Sequence, residues 1–211
     1  MKWFKETKLG IFIHWGIYSV NGISESWSFF NNYINYPNYM SQLQGFFTAF
    51  DYHPQTWVNL IEESGAKYAV ITAKHHDGVA LWNSKTNDAI TTYTHSAAKK
   101  DVLTPLVHAL KNRLLKTGIY FSLPDWSCPN YDVFTRTRKR YHITTEPDRW
   151  KRYQDYFQEQ LNELSEQFNP DLLWFDGDWE HTSEEWQSDR ILSNLKKYNP
   201  NIIVNARLAS H

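Results

Sequence analysis

Cysteine is almost missing. Cys128 stands alone among 211 residues, so an internal disulfide is impossible and paired-cysteine metal or redox motifs are excluded. Neither sign of charge prevails: 22 basic and 23 acidic residues leave a net charge of −1. The two signs are interspersed, with no basic stripe, which argues against a nucleic-acid partner. At 41% hydrophobic, the composition speaks against disorder and against a membrane partner alike. The opening Met1-Lys2-Trp3-Phe4-Lys5-Glu6 lacks an apolar h-region, so this form is expected to carry no signal peptide. Either the protein is cytosolic or its true start lies upstream. A glycine-rich phosphate loop and a nucleophilic-serine elbow are also absent.

What the chain has in excess is aromatic surface, 17% of residues with ten tryptophans. Many fall in polar, loop-like stretches. Aromatic faces stack on the C–H faces of sugar rings, so such a distribution suits a carbohydrate cleft. The plain alternative is core packing, expected for roughly half of them.

Five short, nearly continuous apolar runs predict buried parallel strands: Gly10–His14, Tyr68–Thr72, Gly118–Ser122, Leu172–Phe175 and Ile202–Asn205. Helical periodicity fills the intervals. Pro54–Glu63 puts Trp57, Leu60 and Ile61 on one face, with Gly65 as its stop. A second helix is expected to open with Thr104 as N-cap and Pro105 at its first position, burying Leu106, Val107, Leu110 and Leu114. A third runs from about Asp148 to Phe168 with Tyr153, Phe157, Leu161, Leu164 and Phe168 at spacings of three and four. A fourth begins at the capping-box pattern Thr182-Ser183-Glu184-Glu185 and ends near Tyr198. The junctions Phe168-Asn169-Pro170 and Tyr198-Asn199-Pro200 both read helix, stop, strand. Alternation of strand and helix means an α/β fold with a parallel sheet. Periodicity does not choose between a barrel and a doubly wound sheet.

Polar residues gather where the strands end. His14-Trp15-Gly16 follows the first, Lys74-His75-His76-Asp77-Gly78 the second, and Asp125-Trp126 the third. Asp176-Gly177-Asp178 follows the fourth and Asn205-Ala206-Arg207 the fifth. The strand beginnings are ordinary. Two long aromatic loops, Gly16–Tyr52 and Pro124–Pro147, also follow strand ends, where barrel enzymes keep their active sites. Asp176 is a candidate catalytic carboxylate, and equally a helix cap; Asp178 is its rival. His14, His75, His76 and Asp176 offer a metal-ligand set. Adjacent histidines on an extended segment point apart, however, so sugar hydroxyls suit them better and no metal is assigned. Arg207 either pairs with a catalytic carboxylate or forms a rim salt bridge. The run Arg136–Arg140, four basic residues in five, reads as a solvated loop face.

Taken together, these motifs resemble a known family. Trp3-Phe4 with Lys8–Gly16, Lys74–Gly78 with Leu81-Trp82, Gly118–Ser122 with Asp125-Trp126, Leu173–Gly177 and Val204–Arg207 are similar, in order, to the motifs of the family 29 α-L-fucosidases. Five in register are far more specific than any one. The resemblance implies a (β/α)8-type (TIM) barrel, of which five βα units are visible. Residues 1–211 then form a partial catalytic barrel domain truncated after the fifth strand. It implies Asp176 as nucleophile of a retaining hydrolase, forming a covalent fucosyl-enzyme. It gives substrate binding to His14, His75, His76, Tyr120 and Arg207, with Trp27 and Trp174 lining the pocket. The implied partner is a fucosylated glycan, and no cofactor is needed. Two departures stand out. Many family members carry Glu directly before the tryptophan matched to Trp27, whereas here that residue is Ser26 and Glu25 comes one earlier. The general acid/base is expected from a segment past His211. An open barrel would expose a strand edge, so the isolated chain is expected to be unstable or to associate.

Overall fold

The computed structural model describes residues 2–208. Seven strands follow in chain order: β1 Gly10–Ile13, β2 Tyr68–Lys74, β3 Lys116–Ser122, β4 Val133–Thr135, β5 Arg138–Lys139, β6 Leu172–Asp176 and β7 Ile203–Val204. β4 and β5 make a small antiparallel hairpin. The other five form one parallel sheet in the order β1-β2-β3-β6-β7. The five apolar runs are thus the five parallel strands, shifted by a residue or two at their ends.

Strand order decides what periodicity left open. A doubly wound sheet reverses direction at a switch point. Here each new parallel strand adds beside the last with no reversal, so the sheet is wound one way, as an arc of a barrel. Its two faces differ accordingly. Ala69, Ile71, Ile119, Phe121, Leu173 and Phe175 look outward into a large buried cluster shared with the helices. Val70, Tyr120, Leu172 and Ile203 look inward, with Trp3, Phe4 and Tyr68 packed beneath them. The inward face is tight at its start: a Cβ on Gly10 would lie 2.0 Å from the Tyr68 ring.

The helix Pro147–Phe168 forms as its spacing predicts, and Tyr153, Phe157, Leu161, Leu164 and Phe168 are all buried. It stops where Asn169 turns left-handed, at φ 40°. Asn199 ends the next helix in extended geometry instead. Its side-chain amide donates to the Pro170 carbonyl at 2.9 Å, so the two Asn-Pro junctions touch.

Four details of the helices differ from expectation. The second helix spans Leu103–Asn112, and Thr104 does not cap it. Asp101 does, its carboxylate accepting from the Thr104 amide at 2.8 Å and hydroxyl at 2.7 Å. Leu114 lies past the helix end with φ 56° and is 92% exposed. Leu60, expected on the buried face, is 61% exposed, because Val58 and Ile61 fill that face. The capping box at Thr182 forms, but its helix ends at Trp186; Gln187 is left-handed, and a new helix runs Ser188–Tyr198.

Candidate active site

The mouth of the sheet is built on two sharp turns. After Asp176, Gly177 takes φ 83°, and a Cβ there would meet Pro124 at 2.2 Å. Only glycine fits both the backbone and the space, so the chain can leave β6 at once and keep Asp176 at the rim. After Lys74, Gly78 has φ 75°, and a Cβ there would lie 2.1 Å from the Asp125 carboxylate. β2 ends at Lys74, so His75 and His76 lie past the strand, where the chain begins to turn. Contrary to the alternation expected of a strand, their rings lie side by side, centroids 4.3 Å apart.

Asp176 is the point of convergence. The Tyr120 hydroxyl donates to its Oδ2 at 2.9 Å. His76 Nε2 stands 3.8 Å from the same oxygen, and Arg207 reaches within 3.7 Å of Oδ1. Arg207 also lies 3.3 Å from Asp178, so Asp178 shares the guanidinium. Register explains the Tyr120 contact: Tyr120 pairs with Trp174, and Ser122 with Asp176. Trp174 and Asp176, two residues apart, share the inward face. Trp174 sits one step below the carboxylate, its ring against Phe12 with centroids 5.5 Å apart.

The protonation of His76 follows from its network. Ser122 Oγ donates its one hydrogen to the Pro124 carbonyl at 2.6 Å. It must therefore accept from His76 Nδ1, 2.5 Å away. Nε2 is left a bare acceptor, buried and without a partner among the described residues. Burial, then the nearby His14 and Lys74, push the His76 pKa down to about 3. His75 is driven well below its usual range, first by burial and then by His76 and His14. His14 is lowered by burial, against the pull of Glu25 and Asp176. Three neutral imidazoles thus sit beside a carboxylate. Two acceptors 3.8 Å apart, His76 Nε2 and Asp176 Oδ2, are well placed for the hydroxyls of a ligand.

Glu25 and Ser26 divide the work at the departure noted in the sequence. Glu25 has φ 35°, and its carboxylate comes 3.9 Å from His14 Nε2. Ser26 is fully buried; its hydroxyl lies 2.6 Å from His75 Nδ1 and accepts from the Asp77 amide at 2.9 Å. The carboxylate at the mouth is therefore Glu25, and Ser26 orients His75 from behind. Among the described residues, His14, Glu25 and His75 bring ligand-capable atoms within 4.8 Å of one another. His76 and Asp176, paired with them in the sequence reading, are not in that group. Beneath them Asp77, raised to about 6 by burial, accepts from Tyr39 at 2.6 Å.

The aromatic wall is Trp27, Trp126 and Trp179. Trp27 lies 5.4 Å from His76 and 5.0 Å from Trp126 between ring centroids. Trp179 runs nearly parallel to Trp27 at 6.3 Å. Sequence reasoning assigned no role to Glu25, Ser26 or Trp179. The signal for Glu25 was its one-residue offset; Trp179 carried none beyond its place three residues after Asp176. A surface cleft of about 660 Å³ lies elsewhere, on the outer wall. Its Glu163 carboxylate is committed to Trp82, Ser84 and the Lys85 amide, so it offers no free chemistry.

Residues 1–211 match the family described as Alpha-L-fucosidase. The tissue alpha-L-fucosidase of Rattus norvegicus is 31% identical, over 98% of this chain and 46% of its own length. The Dictyostelium discoideum alpha-L-fucosidase is 32% identical over 99% and 49%. The chain spans about half the length of the curated relatives it matches. Among solved structures, a GH29 alpha-L-fucosidase from Bacteroides thetaiotaomicron superposes with a TM-score of 0.86 at 27% identity, covering 100% of this chain and 48% of that one. Alpha-L-fucosidase isoenzyme 1 from Paenibacillus thiaminolyticus gives 0.85 at 30%, covering 99% and 50%. The alpha-L-fucosidase AlfC, solved in complex with Fuca(1,6)GlcNAc, gives 0.81 at 28%, covering 99% and 70%. With a one-way-wound parallel sheet, a mouth of neutral histidines and these likenesses over its whole length, the chain belongs to the glycoside hydrolase family 29 alpha-L-fucosidases.

Proposed function

We propose that this chain binds terminal α-L-fucosyl residues of glycans and attacks them through Asp176. The observation that carries the reading is the convergence of Tyr120, His76 and Arg207 on one carboxylate at the mouth. A nucleophilic carboxylate must be held in place, and the phenol donor and the guanidinium beside it orient Asp176. Asp176 attacks the anomeric carbon, the leaving oxygen departs, and a covalent fucosyl-enzyme forms; water then releases fucose with retained configuration. His14, His75 and His76 bond the ring hydroxyls as neutral imidazoles, His76 as an acceptor through Nε2, joined by Glu25. Trp27 and Trp174 line the apolar part of the pocket. The five-strand arc serves as part of a catalytic barrel. No cofactor takes part.

Double displacement also calls for a second carboxyl about 5–5.5 Å from the first as proton donor. Aryl fucosides with good leaving groups need little protonation, so they are the test substrates. Turnover of an aryl α-L-fucoside is expected, and Asp176→Ala should lower it by about 10³-fold or more. Turnover that survives the substitution would remove Asp176 from the role. Binding of fucose with no turnover at all would leave a sugar-binding protein.

A further inference from the structure

The basic run Arg136–Arg140 takes no part in the pocket, yet the structure ties it down. It makes the turn and second strand of the β4–β5 hairpin. The Arg136 amide donates to the Phe30 carbonyl at 3.0 Å, and the Asn32 side-chain amide donates to the Thr137 hydroxyl at 3.3 Å. At the base, the Arg140 guanidinium donates to the carbonyls of Val133 at 2.6 Å and Trp126 at 2.7 Å. It also lies 4.6 Å from the centre of the Phe134 ring. Arg140 is therefore spent on holding the hairpin together.

The other cations of the run are not spent in this way. Arg136, Arg138 and Lys139 are all exposed. Lys139 stands 3.8 Å from Asp132, a carboxylate that His181 already meets at 2.9 Å. Arg138 lies over the Phe134 ring at 5.3 Å. Neither Arg138 nor Arg136 meets a carboxylate among the described residues. A guanidinium laid on an aromatic face keeps its in-plane N–H donors free for a planar or tetrahedral anion. Like charges gathered on one short hairpin also repel each other, and a bound anion relieves that repulsion.

An aromatic surface adjoins this tip. Tyr33 directly follows Asn32, which bonds Thr137, and is 81% exposed. Its backbone is fixed, the amide donating to the Ser28 carbonyl at 2.9 Å. A ring held this open gains little from burial but is preorganised to meet a ligand. The apolar C–H face of a sugar packs on such a ring, and an acidic substituent of the same sugar suits the arginine forks.

We propose that Arg136, Arg138 and Tyr33 form a site for an acidic sugar, one carrying a sulfate ester or a carboxylate. The site is separate from the fucose pocket: Phe30, whose carbonyl holds Arg136, lies between it and Trp27, with ring centroids 5.4 Å apart. The inference does not depend on Asp176 or on fucoside hydrolysis. It gives the chain a preference for acidic glycans over neutral ones.

The test is calorimetric, on the full chain, with three tetrasaccharides. Chondroitin sulfate carries sulfate esters and carboxylates, unsulfated chondroitin carries carboxylates alone, and chitotetraose is neutral. An acidic ligand should bind about tenfold tighter than the neutral one, as charge-assisted contacts allow, and added salt should weaken it. A sulfated ligand ahead of the unsulfated one assigns the site to sulfate, and equal binding of the two assigns it to the carboxylate. Arg136→Gln with Arg138→Gln should erase the preference, and Tyr33→Ala should weaken the acidic ligand about threefold. Lys196→Gln with Lys197→Gln removes the same charge from an exposed helix end and should change little. Equal affinity for acidic and neutral ligands would overturn the inference. So would a preference that survives loss of the two arginines, or one that falls as far with the two lysines. Should the double arginine variant not fold, Arg136→Gln alone must lower the preference. Aryl fucoside turnover should be the same in the arginine variant as in the parent, so a failure of the fucosidase reading and a failure of this one are read separately.

Discussion

On the outward side of the sheet, Ile71, Ile119, Phe121, Leu173 and Phe175 meet the helices in a nearly continuous apolar layer. At the C-terminal ends the same strands finish in His75, His76, Ser122 and Asp176. These two regions share a backbone and obey opposite rules. The outer layer gains from removing apolar area from water, about 25 cal/mol per Å². The mouth keeps imidazoles neutral by burial, leaves His76 Nε2 without a partner among the described residues and crowds Asp176 with donors. The difference is the usual mark of a region selected for binding and not for stability.

The comparison can be tested from both sides. The largest stability effect should come from the outer layer. Trp82 is fully buried and donates to Glu163. Trp82→Ala should cost about 3–5 kcal/mol, read as a lower urea midpoint. A smaller loss would mean that the outer layer is not the main support.

The next effect belongs to the mouth and depends on pH. The His76 pKa lies near 3 in the folded chain, far below the roughly 6.5 of an unfolded histidine, and His75 is lowered too. Unfolded chain therefore binds more protons, so stability is full above pH about 6.5 and is lost as pH falls toward 3. Asp77 acts oppositely. Its folded pKa of about 6 exceeds the unfolded value, so its cost eases as pH falls through that range. The net result should be a loss of about 2 kcal/mol between pH 7.5 and 5.5. Urea titrations at the two values measure it, and a flat profile would show that these imidazoles are not held neutral by burial.

The smallest expected effect is at the periphery. Leu114 is exposed and left-handed, so Leu114→Gly should relieve strain and stabilise by up to about 1 kcal/mol. Calorimetric melting would reveal the gain, and a loss would mean that Leu114 packs against something after all.

Much of this was legible in the linear pattern. The five apolar runs became the five parallel strands because strands covered on both sides need continuous apolar sequence. The helix Pro147–Phe168 followed its three-and-four spacing, and the Thr182 capping box formed because it is a local interaction. Asp176 stood out because an apolar run ended in a carboxylate and a glycine. The failures were of another kind. Asp101 took the capping role instead of Thr104: its carboxylate accepts from the amide of Thr104 itself, so Thr104 lies inside a helix that begins at Leu103. Leu60 and Leu114 fitted the period, but the packed faces had no room or no neighbour for them. His75 and His76 were expected to diverge as neighbours on an extended segment; their rings instead lie 4.3 Å apart, because the chain turns after β2 and local pattern does not show that turn.

By itself, then, the sequence determined the elements, the direction of the sheet and the set of motifs that marks the family, all of which depend on local spacing and composition. Only the tertiary structure decided which polar groups meet. Glu25 reaches His14 across the mouth through a left-handed backbone, Tyr120 meets Asp176 through strand register, and Glu180 is held by Trp126 and Tyr131. Tyr120 and Asp176 lie 56 positions apart and Trp126 and Glu180 54, and the geometry of such contacts is set by packing that no local pattern encodes.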